Sequence, residues 1–286
     1  MPSPPDLPPL GAHVSVAGGI ARAVARGEEL GCTAIQVFVK NANRWQAKPI
    51  DPQDAEGFRR AREASAIGPA VAHASYLINL GATDETVLER SLDALADELE
   101  RCAQVGLDAL VLHPGAHLGL GEETGVEMVA AALDTVLDAI PESGVRVLLE
   151  NTAGQGTALG WRLGHLAAIR QRLASPGRVG VCIDTCHAFA AGYAVHEPAG
   201  YEEFVAELDE IVGLDVVGCV HLNDSLRPFG SRRDRHEHIG EGRIGTGCFA
   251  RLLHDERLRH VPMVLETEPG EGSEGHRKDL AVLRSL

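Results

Sequence analysis

Short apolar runs recur along the chain at nearly even spacing, and polar or turn-forming residues bound each of them. Runs of this length that are rich in Val, Ile and Leu are typical of buried strands. We predict eight strands, at residues 10–15, 33–39, 69–73, 108–113, 145–150, 179–184, 216–221 and 262–266.

Between these runs, the apolar residues recur with the period of a helix. The plainest case is the segment 83–105, where Leu92, Leu95 and Leu99 fall on one face. We predict helices near residues 18–30, 53–65, 83–105, 123–139, 162–173, 200–212 and 246–258.

The alternation of strands and helices over 286 residues, without a break in composition, favours one α/β domain. Eight such units predict a closed (β/α)8 TIM barrel rather than an open sheet, with the active site at the C-terminal ends of the strands. We place the barrel at residues 10–286, after a short Pro-rich lead-in at residues 1–9.

Six of the predicted strands end at, or just before, a side chain that can bind a metal ion. These side chains are 34 to 45 residues apart in sequence, but a barrel would bring them together on one face. Each of these side chains could instead be a hydrogen-bonded structural residue or a helix N-cap. That alternative would have to be true of all six. The six are His73, His113, Glu150, Asp184, His221 and Glu266.

Three further donors, His187, Asp234 and His236, follow the sixth and seventh strands. Nine imidazole and carboxylate donors are too many for one ion, but they suffice for two or three ions if one carboxylate bridges. Sites with several metals are typical of phosphoester hydrolysis, and donors of this kind suit zinc or manganese. For the remaining histidines, including His13 and His117, we favour structural roles.

The net charge is -15, with 41 acidic and 26 basic residues. Taken alone, this balance argues against a nucleic-acid-binding protein, because affinity for a polyanion depends on Lys and Arg. Five arginines nevertheless cluster in residues 227–243, beside Asp234 and His236. The sequence therefore predicts a local anion-binding face on an acidic protein.

The six cysteines form no C-x-x-C pair, so we predict buried free thiols rather than zinc ligands, even for Cys182 and Cys186. Free thiols indicate a reducing, intracellular compartment. The start of the chain, MPSPPDLPPL, lacks the basic and apolar regions of a secretory signal. The apolar runs are also too short to span a membrane, so we expect a cytoplasmic protein without a membrane partner.

Seven long motifs resemble those of one enzyme family, and they occur in that family's order. They are HASYLINLG, LVLHPGAHLG, LLENTAGQG, CIDTCHAFAAGY, VHLNDS, GSRRDRHEHIGEGRIG and VLETE. The chain, from GAHVS at residue 11 to its end, is similar to the endonuclease IV family of apurinic/apyrimidinic endonucleases. The resemblance implies a (β/α)8 barrel with three zinc ions that cuts duplex DNA on the 5′ side of an abasic site. The products are a 3′-hydroxyl and a 5′-deoxyribose phosphate, as in base excision repair.

The resemblance also implies how nine residues share three zinc ions, with manganese possible in part. His73, His113 and Glu150 would hold the first ion; Glu150, Asp184, His221 and Glu266 the second; His187, Asp234 and His236 the third. The implied mechanism is metal-assisted hydrolysis in which Glu150, as the catalytic residue, orients the attacking water. We expect a monomer that associates with the nucleoid when it acts on DNA.

For DNA recognition, the resemblance places Tyr76 and Leu77 in a loop that inserts at the abasic gap; the alternative is that both pack in the core. The loop after the second strand contains Asn41 and Arg44, but the family pattern K-N-x-R-x-W has its arginine one residue earlier. Phosphate contacts are expected from Arg232 and Arg235.

Two other functions fit part of the pattern. Sugar isomerases and epimerases on the same barrel also use a Glu, Asp, His, Glu set, which here would be Glu150, Asp184, His221 and Glu266. A protein that only stores metal is the second alternative. The five additional donors and the arginine-rich loop favour the nuclease, since a neutral sugar needs neither.

Overall fold

Eight parallel strands close into a barrel in the computed structural model, which describes residues 7–286. The order around the barrel is β1, β2, β3, β4, β5, β6, β7 and β10, and β10 pairs with β1. Strands β8 and β9 form a separate antiparallel pair above the barrel. The ten strands are β1 Leu10–His13, β2 Ala34–Val37, β3 Ala70–His73, β4 Ala109–Leu112, β5 Arg146–Glu150, β6 Val179–Asp184, β7 Val217–His221, β8 Asp224–Ser225, β9 His236–Glu237 and β10 Met263–Leu265.

The helices lie between successive strands, except for α9, which follows the last strand, and they cover the outside of the barrel. They are α1 Arg22–Glu29, α2 Pro52–Glu63, α3 Glu85–Val105, α4 Glu122–Ala139, α5 Leu163–Arg172, α6 Thr185–Ala191, α7 Pro198–Ile211, α8 Thr246–Leu253 and α9 Glu274–Ser285. The predicted barrel and all seven predicted helices are confirmed, although α1 begins at residue 22 rather than 18. Helices α6 and α9 and the β8–β9 pair were not predicted.

Helix α3 shows how local sequence sets an element's length. The Asp84 carboxylate accepts the backbone N–H of Val87 at 2.9 Å, which satisfies a free donor of the first turn. The helix stops at Gly106, whose φ of 75° is the left-handed conformation that favours glycine. Its buried face contains Leu95, Leu99 and Cys102, and it packs against the barrel.

The interior of the barrel is layered because side chains alternate between the two faces of each strand. A layer of small apolar side chains lies one step below the C-terminal ends and includes Ala34, Val71, Val111, Leu148, Cys182, Cys219 and Val264. All six cysteines are buried and free, as predicted.

The predicted lead-in at residues 1–9 falls only partly in the described chain, since residues 1–6 lie outside it. Residues 7–9 are in neither a helix nor a strand, and the Pro9 carbonyl accepts the backbone N–H of Met263. Among residues 7–286, no helix has the length and apolarity needed to cross a membrane.

Candidate metal centre

Every barrel strand has an inward-facing polar side chain at or next to its C-terminal end. Glu150, Asp184 and His221 are fully buried there, and His73 is 3% exposed. Burying this many ionisable groups is costly unless they are paired or bind ions. The ring consists of His13, Gln36, His73, His113, Glu150, Asp184, His221 and Glu266.

The nine predicted donors fall into three groups, in each of which the donor atoms lie within 4.8 Å of one another. The groups are His73, His113 and Glu150; Glu150, Asp184, His221 and Glu266; and His187, Asp234 and His236. The structure therefore brings together the same sets that the resemblance implies.

Glu150 connects the first two groups. Its Oε2 atom lies 3.2 Å from His73 Nε2 and 3.1 Å from His113 Nε2. Its Oε1 atom lies 3.0 Å from His221 Nδ1. One carboxylate thus presents a different oxygen to each group, an arrangement that suits a bridging ligand.

The third group stands on α6 and on the segment that leads into β9. The two oxygens of Asp234 lie 3.1 Å from His187 Nε2 and 3.2 Å from His236 Nε2. His236 Nε2 is buried without a hydrogen-bond partner among the described residues. An imidazole nitrogen left in this state beside carboxylates is well suited to bind a cation.

Asp184 has two roles at the end of β6. Its Oδ1 atom accepts the backbone N–H of His187 at 2.7 Å and so caps α6. Its Oδ2 atom faces the centre, 3.9 Å from His221 Nδ1 and 3.8 Å from His236 Nε2. The N-cap alternative therefore holds for one oxygen and leaves the other available to a metal.

Several imidazoles are oriented by the nitrogen that points away from the centre. His73 Nδ1 lies 2.8 Å from the Ala74 carbonyl, and His187 Nδ1 lies 2.8 Å from the Asn151 carbonyl. A carbonyl only accepts, so each Nδ1 donates, and Nε2, which faces the carboxylates, is the nitrogen that can bind a metal once it has lost its proton. Metal-binding histidines are held in this way in proteins generally.

The carboxylates and imidazoles shift one another's pKa values. Burial alone would raise the pKa of Glu150, but the charges of His221 and His113 outweigh it and hold the pKa well below its usual range. Burial would lower the pKa of His187, but Asp184, Asp234 and Glu150 hold it well above the usual value. Likewise, Asp234 and Asp184 overcome burial and raise the pKa of His236 to about 9.

Three buried thiols also lie near these donors. Cys182 and Cys219 are within 4.8 Å of a nitrogen of His221, and Cys186 is equally close to Asp184 and His236. Burial raises the pKa of Cys186 to about 12, with the Asp184 charge adding to the effect. Its neutral thiol is a weaker ligand than the ionised carboxylates beside it.

Two amide residues of the centre were missed by sequence reasoning. Gln36 Nε2 donates to Glu266 Oε1 at 2.6 Å, and its Oε1 atom faces His221 Nε2 at 2.9 Å. Asn223 Nδ2 donates to Asp184 Oδ2 at 2.6 Å, and Asn223 Oδ1 accepts the Glu266 backbone N–H. The sequence did contain a signal for Gln36, because this polar residue interrupts the apolar run of β2 at a position that faces the inside of the barrel.

The eight histidines to which structural roles were assigned belong to none of the metal-binding groups found among residues 7–286. His117 Nδ1 accepts the backbone N–H groups of Gly119 and Gly121 and so shapes a turn. His13 lies in the polar ring, where Gln36 Nε2 approaches its Nδ1 atom at 3.1 Å. Burial lowers the pKa of His13, which favours the neutral imidazole.

Comparison with known proteins identifies the family. Residues 24–286 match the family model described as xylose isomerase-like TIM barrel. The chain is 49% identical over 280 residues to the probable endonuclease 4 of Chloroflexus aurantiacus, covering 98% of both chains. It is 41% identical to the solved structure of endonuclease IV from Thermus thermophilus, with a TM-score of 0.84 over 98% of this chain and all of that one. The chain belongs to the endonuclease IV family.

The same barrel occurs in more distant structures. A D-tagatose 3-epimerase-like protein has a TM-score of 0.69 over 96% of this chain and 98% of its own, at 18% identity. At that identity the likeness shows the fold alone.

In this endonuclease IV-family chain, the loop after β3 carries the predicted wedge residues at its surface. Tyr76 is 63% exposed, while Leu77 is half-buried, and Ile78 beyond it is buried. The alternative prediction, that Tyr76 packs in the core, is therefore wrong. The Tyr76 ring stands at the edge of the centre, 5.6 Å from the His73 ring.

The four other predicted DNA-contacting residues are also exposed, but they differ in what they touch. The Asn41 side chain accepts the backbone N–H of Asn43, and Arg44 follows in the same turn. Arg235 donates to the Asp234 carbonyl. The Arg232 guanidinium lies 3.8 Å from the centroid of the Trp161 ring, so it packs on the barrel as well as facing solvent.

Three cavities adjoin along this face through shared residues. The largest, about 720 Å³, includes Tyr76, His236 and Glu266 in its lining. Tyr76 and Arg235 both line the second, about 380 Å³, with His113 and Asp234. Arg235 also lines the third, about 360 Å³, with other arginines of the loop. The metal centre therefore lies in a long open groove, one end of which is basic.

Proposed function

We propose that this chain is a DNA repair endonuclease that hydrolyses the phosphodiester bond 5′ to an abasic site in duplex DNA. The products would be a 3′-hydroxyl and a 5′-deoxyribose phosphate. The observation that carries the proposal is the buried Glu150, which presents one oxygen to each of two donor groups beside a third group. Membership of the endonuclease IV family supports the substrate.

The donors fit three divalent ions, which we propose are zinc, with manganese possible in part. Each group has only imidazole and carboxylate donors, which both metals accept. Bound ions would lower the pKa of water and neutralise phosphoryl and leaving-group charge. His73, His113, His221, Glu266, Asp184, His187, Asp234 and His236 would hold them, with Glu150 shared.

The chain's own residues would position the reactants. We propose that Glu150, which contacts four imidazoles, orients the attacking water toward phosphorus. The exposed Tyr76 and the half-buried Leu77 would fill the space left by the missing base, as apolar wedges do in other DNA-bending proteins. Asn41, Arg44, Arg232 and Arg235 would contact the phosphate backbone, which binds cationic side chains.

The partner is thus duplex DNA with abasic sites, and we propose that one chain acts as a monomer in the cytoplasm. A sugar isomerase or epimerase would need only the Glu150, Asp184, His221 and Glu266 group. It would leave the His187, Asp234 and His236 group, and the basic end of the groove, without a purpose.

Metal analysis joined to a cleavage assay tests the proposal. Purified protein should contain close to three zinc-like ions per chain. It should cut a duplex with one abasic analogue on the 5′ side of the lesion and leave the undamaged duplex whole. One ion per chain, no cleavage, and turnover of a ketose would instead establish the isomerase.

A further inference from the structure

Two loops of the proposed DNA face follow different strands, and no covalent bond fixes the distance between them. The first loop, residues 38–51, follows β2 and carries Asn41 and Arg44. The second loop, residues 74–84, follows β3 and carries Tyr76 and Leu77. Both contact α3, which provides the connection between them.

A buried lysine attaches the first loop to this helix. The side chain of Lys40 is 1% exposed, and its ammonium group lies 3.3 Å from the Glu98 carboxylate, whose side chain is also 1% exposed. The same ammonium donates to the carbonyls of Trp45 at 3.2 Å and Ala94 at 3.4 Å. Lys40 therefore closes its own loop and fastens it to α3.

The second loop is attached to the same carboxylate. Both oxygens of Glu98 lie 3.2 Å from the backbone N–H of Ser75, directly before Tyr76. The Ser75 hydroxyl then donates to the Ala42 carbonyl in the first loop at 2.6 Å. A closed circuit of hydrogen bonds thus runs from one loop through α3 to the other loop and back.

Stability alone is a poor explanation for this circuit. Buried ion pairs often contribute little, and replacing them with apolar residues of similar volume is often neutral or stabilising. What a buried ion pair does provide is one defined arrangement of the groups around it. Here those groups are two exposed loops at the groove.

We propose that Lys40, Glu98 and Ser75 are positioning residues that hold the two loops at the spacing required by abasic duplex DNA. The inference rests on the proposed function, because it assumes that both loops contact DNA. None of the three residues belongs to the metal-binding groups, so their contribution is to binding rather than to chemistry. Loops that are already ordered in the free protein do not have to be ordered on binding, so this entropic cost does not reduce the binding free energy.

The main test replaces the ion pair by apolar residues in a Lys40→Met, Glu98→Leu double variant. We expect unchanged metal content and a melting temperature that falls only as far as the Ser75 N–H and the Trp45 carbonyl lose a partner. The Kd for an abasic duplex should rise about five- to tenfold, since side chains that are no longer pre-ordered must be immobilised on binding. The cleavage rate at saturating DNA should change less than Kd. Amide hydrogen exchange at residues 41–45 and 75–78 of the free protein should become faster.

Asp97→Asn is the matched control. Asp97 contacts the same lysine at 3.3 Å, but its side chain is 39% exposed and it makes no described contact with the second loop. This variant should bind abasic DNA as the parent does. If the double variant folds poorly, Ser75→Ala removes only the hydroxyl that joins the loops, and it should still weaken binding and speed exchange.

Two results separate this inference from the proposed function. If replacing Tyr76 and Leu77 by glycine weakens abasic binding, but neither the double variant nor Ser75→Ala does, the positioning role is wrong and the DNA face stands. If the glycine variant binds as tightly as the parent, the DNA face itself is wrong, and the positioning role fails with it.

Discussion

At the scale of single residues, the centre depends on which nitrogen of each histidine faces inward. For His221 the choice is made by Gln36. A carboxylate only accepts, so the Gln36 nitrogen is the atom that contacts Glu266, and its oxygen therefore faces His221 Nε2. His221 must donate from Nε2, which leaves Nδ1 to face Glu150 and Glu266.

We predict that Gln36→Met weakens metal binding at the group formed by Glu150, Asp184, His221 and Glu266. Losing a residue that orients a metal-binding histidine typically lowers metal affinity by about 10- to 100-fold. Stepwise removal of metal by a chelator should show one ion leaving early and the other two leaving as in the parent. The exposed Gln171→Met serves as the control. Equal retention of all ions would show that Gln36 does not orient His221.

The candidate ligands were predictable from sequence because strand ends in a barrel converge whatever the intervening residues are. Their supporting amides were not predictable. Gln36 and Asn223 make their contacts across 185 and 43 residues, to His221 and Glu266 respectively. Such partners are fixed by how neighbouring strands are staggered, which no local pattern in the sequence reports.

At the scale of elements, the chain from β8 to just beyond β9 brings Asp234 and His236 over the barrel. Its base is formed by the buried carboxylate of Asp224, which accepts the backbone N–H groups of Gly240 and Ile244. Its outer part is held by Arg232, which packs on Trp161. The third donor group is therefore positioned by contacts on both sides.

We predict that Asp234→Asn or His236→Ala leaves the fold and the other two ions in place but slows cleavage. The expected fall is about two to four orders of magnitude, since losing one stabiliser of transition-state charge typically costs about 2.7 to 4 kcal/mol. Binding of abasic DNA should weaken less, because the exposed loops remain. Cleavage at the parent rate in both variants would mean that this segment is an ordinary surface insertion.

The stacked Arg232 yields a separate prediction. Arg232→Ala should lower the affinity of the His187, Asp234 and His236 group for metal by about two- to fivefold, since an exposed cation–π contact contributes about 0.5–1 kcal/mol. The neighbouring exposed Arg233→Ala should not have this effect. If Arg232 is instead only a DNA contact, metal affinity will be unchanged and the salt dependence of DNA binding will become shallower.

The two unpredicted helices show where local patterns fail. Helix α6 has only seven residues and begins directly after β6, so it is too short for its apolar residues to show a helical period. Helix α9 has few buried apolar positions, among them Leu280 and Leu283. It is held largely by Asp279, which accepts from Thr267 and from the Ile239 backbone, contacts that only tertiary structure creates.

At the scale of the whole molecule, a net charge of -15 is compatible with the proposed affinity for DNA because the charged side chains are unevenly distributed. Buried carboxylates account for part of the negative charge and face the interior of the barrel. Arginines 227, 232, 233 and 235 line the basic end of the groove. Net charge taken alone therefore argues against the proposed partner, whereas its local distribution supports the predicted anion-binding face.

The buried charges also set how the protein responds to metal removal. Without metal, the carboxylates hold the pKa values of His73 and His187 above the usual value, against the effect of burial, and raise that of His236 to about 9. Cys182, Glu266 and Glu150 together hold the pKa of His221 above the usual value. A raised imidazole pKa contributes stability that is present below pH 6.5, the usual value, and is lost as the pH rises through about 9. We therefore predict that the gain in melting temperature on adding zinc to metal-free protein increases from pH 6.5 to pH 9.

The same charges predict that zinc binding releases protons. An imidazole binds zinc only through an unprotonated nitrogen, so imidazoles that carry two protons in the metal-free protein must each lose one. Calorimetric titration of metal-free protein near neutral pH, in buffers that differ in their heat of ionisation, measures this release directly. The binding enthalpy should vary linearly with the buffer's ionisation enthalpy, with a slope that corresponds to more than one proton. In the His236→Ala variant the slope should decrease. A slope of zero would mean that the centre is already deprotonated before metal arrives, and that imidazolium groups do not balance the buried carboxylates.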